Sequence, residues 1–182
     1  GDLVHKMYIE ADFTTVSGAE NPGALFVQEC EVEIGGQKID KHYSHWLEVW
    51  AELTEPNSAG VVADTSGLVG NAITTGTKFQ NMSGMGGVCT DANADAIKVN
   101  IPLQFWFCRN PGLALPLIAL QYHEVKVIMT MGTSSQIGTI TKNKLWCDYI
   151  YLDTDERRRF AQVSHEYLIE QLQFQQGTQQ TN

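Results

Sequence analysis

Alternation with a period of two residues, broken at short intervals by turn-forming clusters, constrains this chain more than any other feature. Over residues 3–13, Leu3, His5, Met7, Ile9, Ala11 and Phe13 point one way, while Val4, Lys6, Tyr8, Glu10 and Asp12 point the other. That is the pattern of a strand with one buried face. Asn21-Pro22-Gly23 marks a turn. A second strand follows, with Phe26, Cys30, Val32 and Ile34 on one side, Glu29, Glu31 and Glu33 on the other, and Gly35-Gly36 at its end. The period then changes. Tyr43, Trp46, Leu47, Trp50 and Leu53 recur at three and four residues, which predicts an amphipathic helix over 41–54, stopped by Pro56. Residues 57–97, rich in Gly, Ser, Thr, Asn and Ala, read as a surface loop of functional length.

The apolar centre lies in 98–131. Ile101, Leu103, Phe105 and Phe107 alternate with Pro102, Gln104, Trp106 and Cys108, Asn110-Pro111-Gly112 turns the chain, and 117–131 reads as a long strand. Its one face carries His123, Val125, Val127, Met129 and Met131. A polar turn at 132–139 precedes a strand over 145–152. Asp153-Thr154-Asp155-Glu156 has the form of a capping box, so a short helix should run from there to about residue 164. A last strand is expected over 166–174, and the Gln/Thr-rich residues 175–182 read as a linker. Several strands, two brief helices and no alternation of strand with helix predict an all-β antiparallel sandwich occupying residues 1–174.

With 182 residues the chain is long enough for one domain with a self-sufficient core. Its net charge of −9 and lack of a basic stripe argue against direct contact with nucleic acid. Cys30, Cys89, Cys108 and Cys147 are widely spaced, which favours free thiols over a disulfide framework. The longest apolar run, Leu113 to Leu120, is interrupted by Pro116 and falls short of the ~20 residues of a membrane-spanning helix.

The residues that carry chemistry elsewhere do not assemble into a recognisable site. His42 and His45, near Glu48, have the wrong spacing for two ligands on one helical face and read as partly exposed helix residues beside Trp46 and Trp50. His123 and Glu124 are neighbours on an expected strand and so face opposite ways. His165 and Glu166 follow a helix end, where a cationic His suits the dipole. Gly84-Met85-Gly86-Gly87 does not join a strand to a helix, and no nucleophile elbow, P-loop or dinucleotide fingerprint occurs. No catalytic, metal or cofactor site is expected. Asn81-Met82-Ser83 is a formal glycosylation sequon in the surface loop. The densest charge cluster comprises Asp153, Asp155, Glu156, Arg157, Arg158 and Arg159. It reads equally as a solvated helix start with local pairs or as an arginine set that locks neighbouring loops or chains.

The block from Ile101 to Val125, including Asn110-Pro111-Gly112-Leu113-Ala114-Leu115-Pro116-Leu117, closely resembles the major capsid proteins of nucleocytoplasmic large DNA viruses. So does the block from Leu152-Asp153-Thr154-Asp155-Glu156-Arg157-Arg158-Arg159-Phe160-Ala161 to His165-Glu166-Tyr167-Leu168-Ile169-Glu170-Gln171. Gly1-Asp2-Leu3 with Met7-Tyr8, and Gly35-Gly36-Gln37-Lys38-Ile39-Asp40-Lys41-His42-Tyr43, look like the same family. The resemblance implies a jelly-roll sandwich, the first half of a double jelly roll, in a structural protein without enzymatic activity. It further implies homotrimers forming pseudo-hexameric capsomers of an icosahedral shell, with neighbouring capsomers and minor capsid proteins as partners. The place implied is the virion capsid, assembled in the host cell cytoplasm. Relative to the family pattern, an N-terminal arm, a leading strand and a second jelly roll are expected beyond these residues. A jelly-roll carbohydrate-binding, lectin-like module is the alternative.

Overall fold

In a computed structural model, residues 1–15, 22–54, 97–133, 137–175 and 177 are described. The surface loop expected at 57–97 lies outside them except for its last residue, as do Asn81, Cys89 and all of the linker but Gln175 and Gly177. The elements run β1 (Leu3–Thr15), α1 (Pro22–Phe26), β2 (Val27–Ile34), β3 (Gln37–Tyr43), α2 (Ser44–Thr54), β4 (Ile97–Pro102), α3 (Trp106–Arg109), a 3-10 turn (Pro111–Leu113), β5 (Leu115–Pro116), β6 (Val125–Met131), β7 (Ile137–Ile150) and α4 (Thr154–Gln162).

Two antiparallel sheets form. In the first, β1 is central: β4 pairs with its residues 8–13 and β5 with its residues 3–4 along one edge, and β7 pairs along the other. The second has the order β3–β2–β6. The inward residues of both sheets meet in one core. Met7, Ile9, Ala11 and Phe13 of β1 join Val99 and Ile101 of β4 and Cys30 and Val32 of β2 there. Phe13 and Phe26, each 0% exposed, stack at 5.2 Å and close one part of that core. The solvent face of the second sheet carries cross-strand pairs instead, Lys41–Glu29 at 2.8 Å and Lys38–Glu31 at 2.9 Å. The alternation of apolar and charged residues along β2 is thus a direct record of which face is buried.

The β2–β3 turn explains its own sequence. Ile34 pairs with Gln37, leaving Gly35 (φ 59°) and Gly36 (φ 81°) as the two residues of the hairpin loop. Positive φ at both central positions is the geometry that matches strand twist and strongly favours glycine.

Several expected boundaries move, each for a physical reason. At the start of β1 the strict alternation fails, because a register shift between Val4 and Met7 lets Leu3, Val4 and His5 all be buried. His5 Nδ1 is satisfied there by the Phe107 carbonyl at 2.8 Å. The strand expected through residue 108 ends at Pro102, and Trp106–Arg109 turn into α3. Phe105, Trp106, Phe107 and Cys108 are all buried, so no polar face remained for the alternation to report. The strand expected over 117–131 begins only at Val125; residues 117–122 form a turn held by the Leu120 and Ala119 amides donating to Pro116 O. The helix expected from 41 begins at Ser44, since 37–43 belong to β3. The strand expected over 145–152 is longer at its start and ends at Ile150.

Phe13→Ala should cost about 3–5 kcal/mol, as large-to-small core changes do. Tyr122→Ala, at a residue 89% exposed, should stay within about 0.5 kcal/mol. Urea unfolding followed by tryptophan fluorescence measures both.

Candidate functional site

The capping box forms as read, at least in its first half. Asp153 has extended backbone and its Oδ1 accepts the Glu156 amide at 2.8 Å, starting α4 at Thr154. Glu156 itself turns toward Arg159 at 3.9 Å. The helix ends at Gln162, where the Val163 amide donates to Arg159 O at 3.0 Å. None of its residues is buried, so packing contributes little to holding it and the cap contributes much.

The three arginines separate by what they touch. Arg157 reaches Asp2 Oδ2 at 2.9 Å, and the same oxygen accepts the Leu152 amide at 2.8 Å. Asp2 therefore ties the start of β1 to the end of β7 and to α4. The Leu152 amide and the Arg157 guanidinium hold its carboxyl below the ordinary carboxylate range. Among the described residues, Arg158 and Arg159 make only long contacts within the helix, at 4.0 Å to Asp155 and 3.9 Å to Glu156. Their side chains are each 72% exposed. Pairs of this kind contribute about 0.3–0.5 kcal/mol at most. Both guanidiniums remain presented to solvent, with most of their donors open to another chain.

Beside α4 lies a cleft of about 400 Å³, lined by Ile118, Leu120, Tyr122, Phe160, Val163 and His165 among others. Its two walls come from 116–122 and 160–167, within the two sequence blocks singled out above. His165 stacks on Phe160 at 4.6 Å and its Nε2 lies 3.1 Å from the Phe160 carbonyl, so it caps the chain as it leaves the helix.

The remaining histidines fall elsewhere. His42 is not on a helix: it is a β3 residue, 2% exposed, stacked on Phe105 at 4.5 Å and 2.9 Å from Asp40 Oδ2. His45 is on α2 and exposed. His123 sits in a turn, not on a strand. Among the described residues no cluster of three or more His, Cys, Asp or Glu could hold a metal, and no helix is long and apolar enough to cross a membrane. Cys30, Cys108 and Cys147 are free thiols; burial pushes Cys30 and Cys108 up to about 12, which keeps them unreactive. The Asp40–His42 pair and Arg109 escaped the sequence reading. The signal was available in Ile39-Asp40-Lys41-His42-Tyr43, where Asp40 and His42 are two apart and share a strand face.

Comparison with known proteins gives a concordant result. The family model described as major capsid protein N-terminus matches residues 1–153. The chain is 48% identical over 185 residues to the major capsid protein of Pyramimonas orientalis virus, covering 96% of this chain and 43% of that relative. It is 38% identical over 191 residues to the major capsid protein of Paramecium bursaria Chlorella virus 1, covering 96% of this chain and 39% of that one. Among solved structures, the quasi-atomic model of the PBCV-1 virus capsid matches with a TM-score of 0.73 and 34% identity, over 95% of this chain and 41% of that chain. The chain thus spans less than half the length of these relatives. The match identifies the antiparallel sandwich as a jelly roll.

Asp2→Asn should lower the melting temperature at pH 7. A carboxyl whose folded pKa is depressed stabilises above its unfolded value of about 4, and that stability is lost as pH falls through the folded value. The melting curves of the wild type and Asp2→Asn should therefore converge below about pH 4. Asp153→Ala should cost about 0.5–2 kcal/mol of helix stability, visible as faster amide exchange over 154–162.

Proposed function

Because the chain belongs to the major capsid protein family of nucleocytoplasmic large DNA viruses, whose N-terminal model spans residues 1–153, we propose that it serves as a jelly-roll building block of capsomers in an icosahedral shell. The observation that carries this is the structural match to the PBCV-1 virus capsid, at a TM-score of 0.73 over 95% of the chain. The role is structural and not enzymatic, and its place is the virion capsid. Copies of the protein associate with one another and with neighbouring capsomers.

In this reading three copies form one pseudo-hexameric capsomer, assembled in the host cytoplasm and contacted by minor capsid proteins. Residues 1–174 supply the jelly roll and 175–182 a connecting segment; the sequon at Asn81 lies outside the described residues. The α4 cluster divides its labour. Asp153 and Glu156 shape the helix, and Arg157 binds it to Asp2 within the chain. Arg158 and Arg159 face outward and meet carboxylates or carbonyls of an adjacent copy. Fork-shaped guanidiniums with most donors free suit that task, because each can make two parallel bonds to one carboxylate. Tyr122 and Val163, which share a cleft and are exposed at 89% and 54%, supply apolar area of the kind an obligate interface covers.

Sizing with light scattering on the full-length polypeptide should give a trimer. A stable monomer at micromolar concentration contradicts the proposal. Replacing Arg158 and Arg159 together by Ala should leave the melting temperature within about 2 °C yet shift the trimer toward monomer; unchanged assembly reduces the cluster to a capped helix.

A further inference from the structure

Residues 164–175 form neither helix nor strand, so the strand expected over 166–174 is absent. The last part of that segment is held against β3 through side chains. Leu172 donates its amide to Asp40 Oδ1 at 3.0 Å, Gln171 Nε2 donates to the Ile39 carbonyl, and Phe174 packs on Tyr43 with ring centroids 4.4 Å apart. A cleft of about 250 Å³ lies between Gln171–Phe174 and residues 38–41 of β3.

Asp40 is the charge at the centre of these contacts. Its side chain is 0% exposed, and its two oxygens have separate partners. Oδ1 accepts the amides of Leu172 and Lys41, at 3.0 and 2.9 Å, and Oδ2 lies 2.9 Å from His42 Nε2. Among the described residues neither Oδ2 nor Nε2 has a further hydrogen-bond partner. Burial alone would raise the Asp40 pKa; the His42 contact and the two amides outweigh it and hold the carboxyl below the ordinary carboxylate range. The docked segment thus helps to keep a buried charge stable, and the charge gives the segment a charge-assisted bond. By linkage, protons that neutralise Asp40 weaken docking by the same free energy by which docking depresses its pKa.

The surroundings of the pair decide which part gives way. On β3, Lys38 and Lys41 pair with Glu31 and Glu29 of β2, at 2.9 and 2.8 Å. Cys30 of β2, opposite His42, has its thiol pushed up to about 12 by burial and stays uncharged. Glu170, next to the docked residues, is held by Arg109 at 2.8 Å. The Phe105 ring stacks on His42 at 4.5 Å, and α2 faces it with the uncharged Trp46 ring at 6.2 Å. An imidazole is charged in acid. Protonating Asp40 then leaves a buried cation without its counter-charge, which a dry site does not tolerate. Phe105 and Cys30 are core residues at 0% and 1% exposed, whereas Phe174 is 56% exposed. The docked segment is the wall that yields.

We propose that Asp40 is an acid-operated clasp: its carboxylate holds Gln171–Phe174 on β3, and protonation frees that segment while both sheets stay folded. A carboxyl whose pKa is depressed by docking favours the docked form above its undocked value and loses that preference as pH falls through the docked one. The clasp is therefore closed at neutral pH and opens in acid. It stands on contacts within one chain and is independent of the capsomer proposal.

Nuclear magnetic resonance on the 182-residue chain, from about pH 7 to about pH 2, tests it across the carboxylate range. The wild type should show the Phe174–Tyr43 ring contact at neutral pH and lose it in acid, with β1 and β2 amides still protected. Asp40→Asn should exchange its Leu172 amide at least about fivefold faster at neutral pH, the scale that separates a charge-assisted bond from a neutral one. Leu172→Pro leaves the Asp40–His42 pair intact and covers the case in which Asp40→Asn does not fold. In it the Asp40 carboxyl should titrate roughly half a unit or more above its wild-type value. A ring contact that survives acid, or one lost only together with β1 and β2 protection, overturns the clasp. So does unchanged Leu172 exchange in a folded Asp40→Asn, or an Asp40 titration that Leu172→Pro does not move.

Discussion

Everything in this fold depends on the pairing of β1. Thirteen residues, Leu3–Thr15, form the only element that holds three others in one sheet among the described residues, β7 along one edge and β4 and β5 along the other. Its inward side chains, from Met7 to Phe13, are the floor on which the second sheet rests. A strand paired on both edges and buried on one face has its register strongly specified, because a slip by one over its alternating stretch would expose the apolar set; its buried His5 is accommodated because the Phe107 carbonyl satisfies it. The helices and turns fill what this arrangement leaves open: α3 brings Trp106 and Phe107 into the core, and α1 brings Phe26 onto Phe13.

The same pairing positions the surface to which the proposed assembly contact is assigned. Asp2, one residue before β1, is drawn to Leu152 at the end of β7, and Arg157 closes on the same carboxylate. The outward direction of Arg158 and Arg159 is thereby set by the core sheet, two contacts away. A capsid protein needs this property: a shell is built from many copies of one contact, so the groups that make the contact must be held by a rigid scaffold and not by a wandering loop.

Much of this was legible in the residues themselves. β1 and β2 are visible because each has one wet face and one dry face over most of its length, and the α4 start because Asp153 is a capping residue before a charged turn. The hairpin at Gly35-Gly36 declares itself by the two positive φ angles it requires. The failures share a cause. From Phe105 to Cys108 every side chain is buried, and over 117–123 apolar residues line a turn; a period is undefined where there is no polar face to mark it. The helical spacing of Trp46 and Trp50 extends back through His42, so the sequence reads it into the following helix. Tertiary pairing with β2 overrode that local pattern. The segment 166–174 has strand composition but no strand partner among the described residues; at Leu172 the amide donates to the Asp40 side chain instead. The arginine cluster stands open between two readings in the sequence; the structure gives Arg157 a partner in Asp2 and shows no close one for Arg158 and Arg159 among the described residues.

Electron cryomicroscopy of the assembled full-length protein tests the central claim most directly. The account predicts a three-fold capsomer of pseudo-hexagonal outline, into which this jelly roll fits with α4 and its arginines at a contact between copies. Isolated particles without three-fold symmetry, or a capsomer whose density cannot accommodate the β1-centred sandwich, would contradict it.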